Sequence, residues 1–297
     1  MDEVERLSFE EQLALQEERL AAQTTRVVGE PLRMLAELAE LPFVTKVELL
    51  AAQAEDPPLG PLARVSQEEV VRMHVTSGTT GTPLLIGFTR GDLERSSLAG
   101  ARAFRSAGVT PQDTILHCVN YAFYAGGIAD HMSLEATGAT VIPVGLGQSD
   151  RLLELFPSLR PTGMFSITSY ANHLAERAVA KGLDPAGLGL LTLVTGGEPG
   201  GDIPEIRGRI EATWGARVAD TYGLGEVWPT LAASTRRQIA CSSGPRVRPA
   251  SWSTRISSAR PARSCGSGHA IALRYSTSIV PAAAASRVSG CSVGWTT

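Results

Sequence analysis

Residues 74–83 read HVTSGTTGTP. Eight of the ten are Gly, Ser, Thr or Pro, and the stretch lies between two apolar runs, VVRMHV at 70–75 and PLLIGFT at 83–89. The β-branched residues of both runs predict strands. A plain surface hairpin is one reading of the loop between them. The other is a loop that wraps phosphate. Glycines let the backbone approach a ligand and turn its N–H groups inward, and Thr and Ser hydroxyls add donors. It is not a Walker A loop, because no Gly-Lys-Ser/Thr follows.

Working outward, residues 3–24 read as an amphipathic helix, with Ser8 and Glu11 in capping-box spacing at its start. Residues 41–50 start extended and turn helical, and 56–65 read as loop. Beyond the Gly/Thr loop, helices are expected at 89–109, 126–138, 149–161, 169–182 (with a Ser cap) and 204–215, and strands at 113–119, 139–145, 163–168, 188–199 and 216–223. Apolar strands separated by single helices predict an α/β fold, a mainly parallel sheet flanked by helices on both faces. Ligands bind such sheets at the carboxyl ends of the strands. Three Gly-rich or polar turns fall there, at 76–83, 196–199 and 222–226, which points to one site.

The chain has 297 residues, 43% of them hydrophobic, enough for one large domain or two smaller ones. A net charge of −3 argues against a general nucleic-acid or membrane-surface binder. The acidic start MDEVERLSFEEQ does not read as a secretory signal, and no run of eighteen apolar residues exists. Cys118, Cys241, Cys265 and Cys291 have no metal-like spacing. A cytoplasmic protein is the expectation.

These averages hide a break. All 30 acidic residues lie at or before Glu226. From Ser234 onward there are nine Arg, no Lys, fourteen Ser and three of the four Cys, so this tail carries +9 and residues 1–233 carry −3 − 9 = −12.

RMHVTSGTTGTP resembles the phosphate loop of the adenylate-forming (acyl-CoA synthetase) superfamily, and within it the chain is most similar to the phenylacetate–CoA ligase family. Four further stretches carry the resemblance: LPFVTKVEL at 41–49, YAFYAGGIADHMSLEATGATVIPVG at 121–145, TGGEP at 195–199 and DTYGLGEVWP at 220–229. It covers roughly residues 8–232. The resemblance implies that Thr76, Ser77, Gly78, Thr79, Thr80 and Gly81 hold the β- and γ-phosphates of ATP. It places Gly197, Glu198, Pro199, Asp220, Thr221, Tyr222 and Gly223 around the adenine, and Tyr121, Phe123, Tyr124, Gly126, Gly127 and His131 around the acyl group. Glu226 is the implied ligand of Mg²⁺, a hard cation suited to a carboxylate plus phosphate oxygens. Read without the resemblance, Glu226 is a solvated turn residue, the three aromatics and His131 are packed core, and Cys118 is a buried strand residue.

The implied chemistry has two steps. A carboxylate attacks the α-phosphate of ATP to give an acyl-adenylate and pyrophosphate, and a thiol, coenzyme A in most of the family, then displaces AMP. Bringing two anions together calls for positioning and positive charge rather than a covalent nucleophile. Family members are often dimers, but no interface is legible in this chain.

The pattern also breaks. The family usually has lysine where this chain has Thr82, and Ser or Thr where it has Gly225. The segment between residues 28 and 41 looks shorter than in relatives. After about Ala233 the resemblance ends. There the family continues into a β-rich subdomain and a mobile C-terminal domain with a catalytic lysine. Arg, Ser, Ala and Pro with scattered Cys and Trp are what GC-rich DNA yields when read out of frame, which is the leading reading of 234–297. A natural disordered basic tail and a divergent domain are the alternatives. The expected organisation is thus an N-terminal helical segment (1–69), a nucleotide- and acyl-binding core (70–233) and the atypical tail. Three functions stand side by side: an acid–thiol ligase, a remnant that at most binds nucleotide, and another nucleotide-dependent class such as a kinase, against which the missing Gly-Lys-Ser/Thr argues.

Overall fold

The computed structural model describes residues 7–34, 37, 44–76 and 81–234. They form two compact units that divide after Gly87.

The first unit opens with α1 (Phe9–Val28). Ser8 caps it: its hydroxyl accepts from the Glu11 N–H, and the Glu11 carboxylate accepts from the Ser8 N–H at 2.7 Å. The same reciprocal pair recurs at α2 (Lys46–Glu55) between Thr45 and Glu48, satisfying backbone donors that a helix start leaves open. A 3₁₀ turn leads into β1 (Val70–Val75), which pairs with β2 (Leu85–Thr89) in a sheet of two strands. The Gln53 amide donates to the Leu85 carbonyl at 3.0 Å and accepts from the Leu85 N–H at 2.9 Å, tying α2 to β2. The strands on either side of the Gly/Thr loop therefore stand apart from the parallel sheet, into which the alternation of elements had drawn them.

The second unit holds α3 (Arg90–Ala107), β3 (Thr114–Cys118), α4 (Ala125–Glu135), β4 (Thr140–Pro143), α5 (Ser149–Leu159), β5 (Gly163–Ser166), α6 (Thr168–Ala180), β6 (Thr192–Thr195), α7 (Pro204–Trp214), β7 (Arg217–Leu224) and β8 (Trp228–Ala233). The sheet order is β4-β3-β5-β6-β7-β8. The first five strands run parallel, and β8 returns antiparallel to β7. This last strand was not expected, because its sequence, WPTLAA, follows directly on the turn motif. The central parallel strands β3, β5 and β6 are short and almost wholly buried, as strands covered on both faces must be.

Register decides what faces what. His117 pairs with Phe165, and Cys118 with Ser166; Ser166 pairs with Thr195, and Thr195 with Asp220. Side chains in register on neighbouring parallel strands share a face. One face carries Leu116, Met164, Leu193 and Val218 against Phe156, Leu174 and Trp214 of α5, α6 and α7. The other carries Ile115, Phe165, Val194 and Ala219 against Phe104 and Leu134 of α3 and α4. Cys118 lies in the first layer, where burial pushes its thiol up to about 12 and leaves it inert.

Ser169 is not the cap of α6. The N-cap is Ile167, which offers no side-chain oxygen, and the carboxylate of Glu198 accepts from the Ser169 N–H instead. A residue from the turn after β6 thus satisfies the start of the helix after β5, with its negative charge at the positive end of the helix.

Candidate functional site

Two of the three implicated turns meet at the carboxyl ends of β6 and β7. The Thr195 hydroxyl, at the end of β6, donates to the carboxylate of Asp220 on β7, and the Thr221 hydroxyl donates back to the Thr195 carbonyl at 2.8 Å. Asp220 is closed from the other side by Ser234, whose hydroxyl accepts from the Asp220 N–H at 2.8 Å. Burial holds the Asp220 carboxyl up at about 6, with the charge of Asp202 adding to it, while the Thr195 hydrogen bond and Arg207 pull the other way. Between these strands Gly197 adopts φ +83° and is exposed with Pro199, while Gly196 is buried. The ends of β6 and β7 that lead into the sequence-derived adenine residues are therefore neighbours, while the Glu198 carboxylate is occupied at the α6 N-terminus.

Tyr222 is half exposed on β7, its phenol pushed up by partial burial and then by the charge of Glu226. Glu226 sits in the β7–β8 turn, where the Val227 N–H donates to the Leu224 carbonyl at 3.1 Å. Gly223 is required for this hairpin, because an added Cβ would stand 1.6 Å from the Pro229 carbonyl oxygen. Gly223→Ala is expected to pry β8 from β7 and lower the unfolding midpoint by several degrees, an effect of roughly 2 kcal/mol. Thermal unfolding by circular dichroism checks it; a midpoint within one degree of the parent would show that the hairpin yields freely.

The donor set can be tested for a metal. Among the described residues no group of three or more His, Cys, Asp or Glu forms a cage. Mg²⁺ keeps several waters and is commonly bound through one or two carboxylates plus substrate phosphates, so a single carboxylate in an open turn, Glu226, fits that mode.

In the first unit, Thr76 closes the base of the Gly/Thr loop. Its N–H donates to the Leu84 carbonyl at 2.9 Å, and its hydroxyl accepts from the Leu84 N–H at 3.0 Å. Gly81, with φ +119°, and Thr82 are exposed on the far limb. Ser77, Gly78, Thr79 and Thr80 lie outside the described residues.

The acyl-side residues divide. Phe123 has φ +63° and is 76% exposed, and Tyr124 is 41% exposed; both face solvent rather than core. Tyr121 and His131 come together, with 2.9 Å between the Tyr121 hydroxyl and His131 Nδ1. On the other side of that ring, Nε2 is 3.1 Å from the Glu135 carboxylate. A carboxylate only accepts, so Nε2 carries the hydrogen and Nδ1 accepts from Tyr121. Gly127 lets the first turn of α4 press onto the preceding loop, since a Cβ there would meet the Asn120 carbonyl oxygen at 2.0 Å.

Two further residues join this side that the motifs did not single out. His117 is fully buried on β3, its ring centroid 4.8 Å from that of Tyr121, 5.4 Å from Phe165 and 5.7 Å from His131. Neither of its ring nitrogens has a partner among the described residues, a state that costs about 1–3 kcal/mol. Burial, then the neighbouring His131, pushes its pKa down to about 3, so the imidazole is neutral. Asp130 is buried on α4 and accepts from the Thr230 hydroxyl of β8. A histidine among the apolar residues of TILHCV and an aspartate after the small and apolar GGIA were the available signals.

A family profile described as "AMP-binding enzyme" matches residues 6–257, running past Ala233, where the motif resemblance ends. The phenylacetate-coenzyme A ligase of Pseudomonas putida is 36% identical over 196 residues, which is 66% of this chain and 43% of that protein. Its namesake from Thermus thermophilus is 35% identical over 66% of this chain and 42% of its own length. The chain thus spans less than half the length of these curated relatives. Crystal structures of a 2-hydroxyisobutyryl-CoA ligase are also similar. The one with 2-HIB-AMP and CoA in the thioesterification state has a TM-score of 0.69 at 29% identity, covering 77% of this chain and 52% of that one. An open conformation with the same ligands has a TM-score of 0.65 at 30% identity. No helix among the described residues is long and apolar enough to cross a membrane. With the profile matched over most of its length and the parallel sheet and strand-end turns in place, the chain belongs to the AMP-binding enzyme family.

Proposed function

We propose that this chain is the nucleotide- and acyl-binding part of an ATP-dependent ligase that converts a carboxylic acid, of the aryl type, into an acyl-adenylate and then a thioester of coenzyme A. The observation that carries the reading is that the end of β6, where the 196–199 turn begins, meets Asp220 and Thr221 of β7. That is where an open α/β sheet binds its ligand. The turn backbone and Tyr222 would receive the adenine. The Gly/Thr loop, taken by itself, has the residue types that suit phosphate. Glu226 would hold Mg²⁺, which when bound offsets the charge of the phosphate oxygens. Tyr121 and His131 would bound the acyl group; with its acceptor on Nδ1, His131 fixes the direction of the Tyr121 hydroxyl. The carboxylate nucleophile and the pyrophosphate leaving group then need alignment rather than a covalent enzyme intermediate.

A second reading is that the 297-residue chain itself binds nucleotide without turning over. It rests on two features: Thr82 in place of the lysine that would offset phosphate charge, and the lack of any Asp, Glu or Lys after Ala233. Pyrophosphate release tests both, measured with ATP, Mg²⁺ and a panel of aryl and short-chain acids. The 297-residue chain is run beside a version with the reading frame restored after Ala233. Acid-dependent release by the restored version with silence from the shorter chain is the expected result. Release by both would discard the second reading, and silence from both would discard the first.

A further inference from the structure

We propose that His117 is a specificity-determining residue of the acyl site and selects a carboxylic acid that bears a hydrogen-bonding substituent, a hydroxyl above all, close to the activated carboxylate. This deepens the ligase reading and rests on it.

The argument starts from an imbalance. On strand β3 His117 stands among the buried apolar residues Ile115, Leu116 and Cys118; it is fully buried yet leaves both ring nitrogens without a protein partner among the described residues. Buried polar side chains in native proteins are paired, and an orphan needs an explanation. An aliphatic or aromatic residue would fill the same place at no such cost. Cys118, the next residue, lies on the opposite face of the sheet, so the imidazole is not a general feature of this strand end.

Its surroundings give the second half. His117 stands one residue from the carboxyl end of β3, on the face that looks toward α4. Around it lie the rings of Tyr121, His131 and Phe165. In the Tyr121–His131–Glu135 chain the Tyr121 hydroxyl and both His131 nitrogens are engaged with one another and with Glu135, and none of them bonds to His117. Tyr121 is the cover over the imidazole on the loop side. It is only partly buried and separates the imidazole from solvent on that side.

The imidazole is neutral. It therefore does not attract the acid's carboxylate by charge; it presents one N–H donor and one bare nitrogen. A hydroxyl both donates and accepts, so it satisfies whichever nitrogen faces it in either tautomer. An acid with only hydrocarbon at that position leaves the orphan unpaired. Sites built this way reject the analogue lacking the polar group far better than apolar pockets reject one extra methylene.

The test uses two stable acyl-adenylate mimics, the adenosine sulfamates of phenylacetic acid and of mandelic acid (α-hydroxyphenylacetic acid), with AMP as a third ligand. Binding to the 297-residue chain is measured by calorimetry for the parent, His117→Phe and His117→Gln. The parent is expected to bind the hydroxylated mimic about tenfold or more tightly than the plain one. His117→Phe should lose or invert that preference while AMP affinity stays within twofold, and His117→Gln, which keeps a donor and an acceptor, should retain part of it. If His117→Phe does not fold, His117→Gln alone and the parent's preference decide. AMP and both mimics binding the parent with equal mimic affinities would overturn the role of His117 and leave the ligase reading standing. A preference that survives in His117→Phe would do the same. No binding of AMP or of either mimic would overturn both.

Discussion

Trp214→Ala is expected to destabilise the α/β unit by about 3–5 kcal/mol, the range for removing a large buried aromatic. Trp214 ends α7, is fully buried, and lies in the core layer with Leu174, Leu193 and Ile210. Its indole N–H donates to the Ala171 carbonyl of α6 at 3.2 Å, so one side chain joins two helices to the sheet by packing and by a hydrogen bond. Alanine leaves a cavity that rigid strands on one side cannot close, because interiors are packed as densely as crystals. Trp214→Phe keeps most of the volume and should cost less than half as much. Since a domain has only about 5–15 kcal/mol in reserve, the alanine variant is expected to be partly unfolded at 37 °C. Urea unfolding followed by far-ultraviolet circular dichroism measures it; a loss below about 1 kcal/mol would show that α7 is not anchored through this residue.

Asp130 should make stability depend on pH in a window where ordinary carboxylates do not. Burial pushes its carboxyl up to about 7, against the opposing hydrogen bond from Thr230. The ordinary aspartate value is about 3.9. The folded state therefore holds a proton that the unfolded chain has released, and the contribution is fully present below about pH 4. It is lost as pH rises and is gone above about 7, where the buried carboxylate is ionised. Three pH units correspond to about 4 kcal/mol at most. Asp220, raised to about 6, adds a similar dependence over a narrower window. The discriminating quantity is thus the difference between the parent and Asp130→Asn, which keeps an acceptor for Thr230 and has no charge to bury. That difference should favour Asn increasingly from pH 4 to 7.5. Parallel stability curves for the two proteins would show that the carboxyl ionises without penalty.

The order of elements in the second unit was legible because the apolar runs are short and are separated by helical stretches that glycines or a proline close. Thr89 and Asp92 cap α3, and Gly108 closes it in the left-handed region, as the local pattern of TRGD and AGV implies. The strand at 70–75 was legible to the residue. The five motifs, read together, named the family. What the local pattern could not give was partnership. Periodicity says that 70–75 and 83–89 are strands but not which sheet they join, since pairing is decided by contacts far apart in the chain. The return of β8 depends on the close approach of Pro229 to Gly223. The capping of α6 depends on Glu198, 29 residues away, because Ile167 has no oxygen to offer.

The candidate site divides in the same way. Sequence alone determined which residue types stand at the strand ends, since glycines, hydroxyls and carboxylates in fixed order leave few chemistries open. Only the tertiary structure decided which of them meet. It set Thr195 against Asp220, turned Phe123 out to solvent while Tyr121 turned in to His131, and buried His117 and Asp130 inside runs that read as plain core. The reason is that burial and hydrogen-bond partnership are properties of neighbours in space. In a parallel sheet those neighbours come from strands separated by a whole helix of sequence.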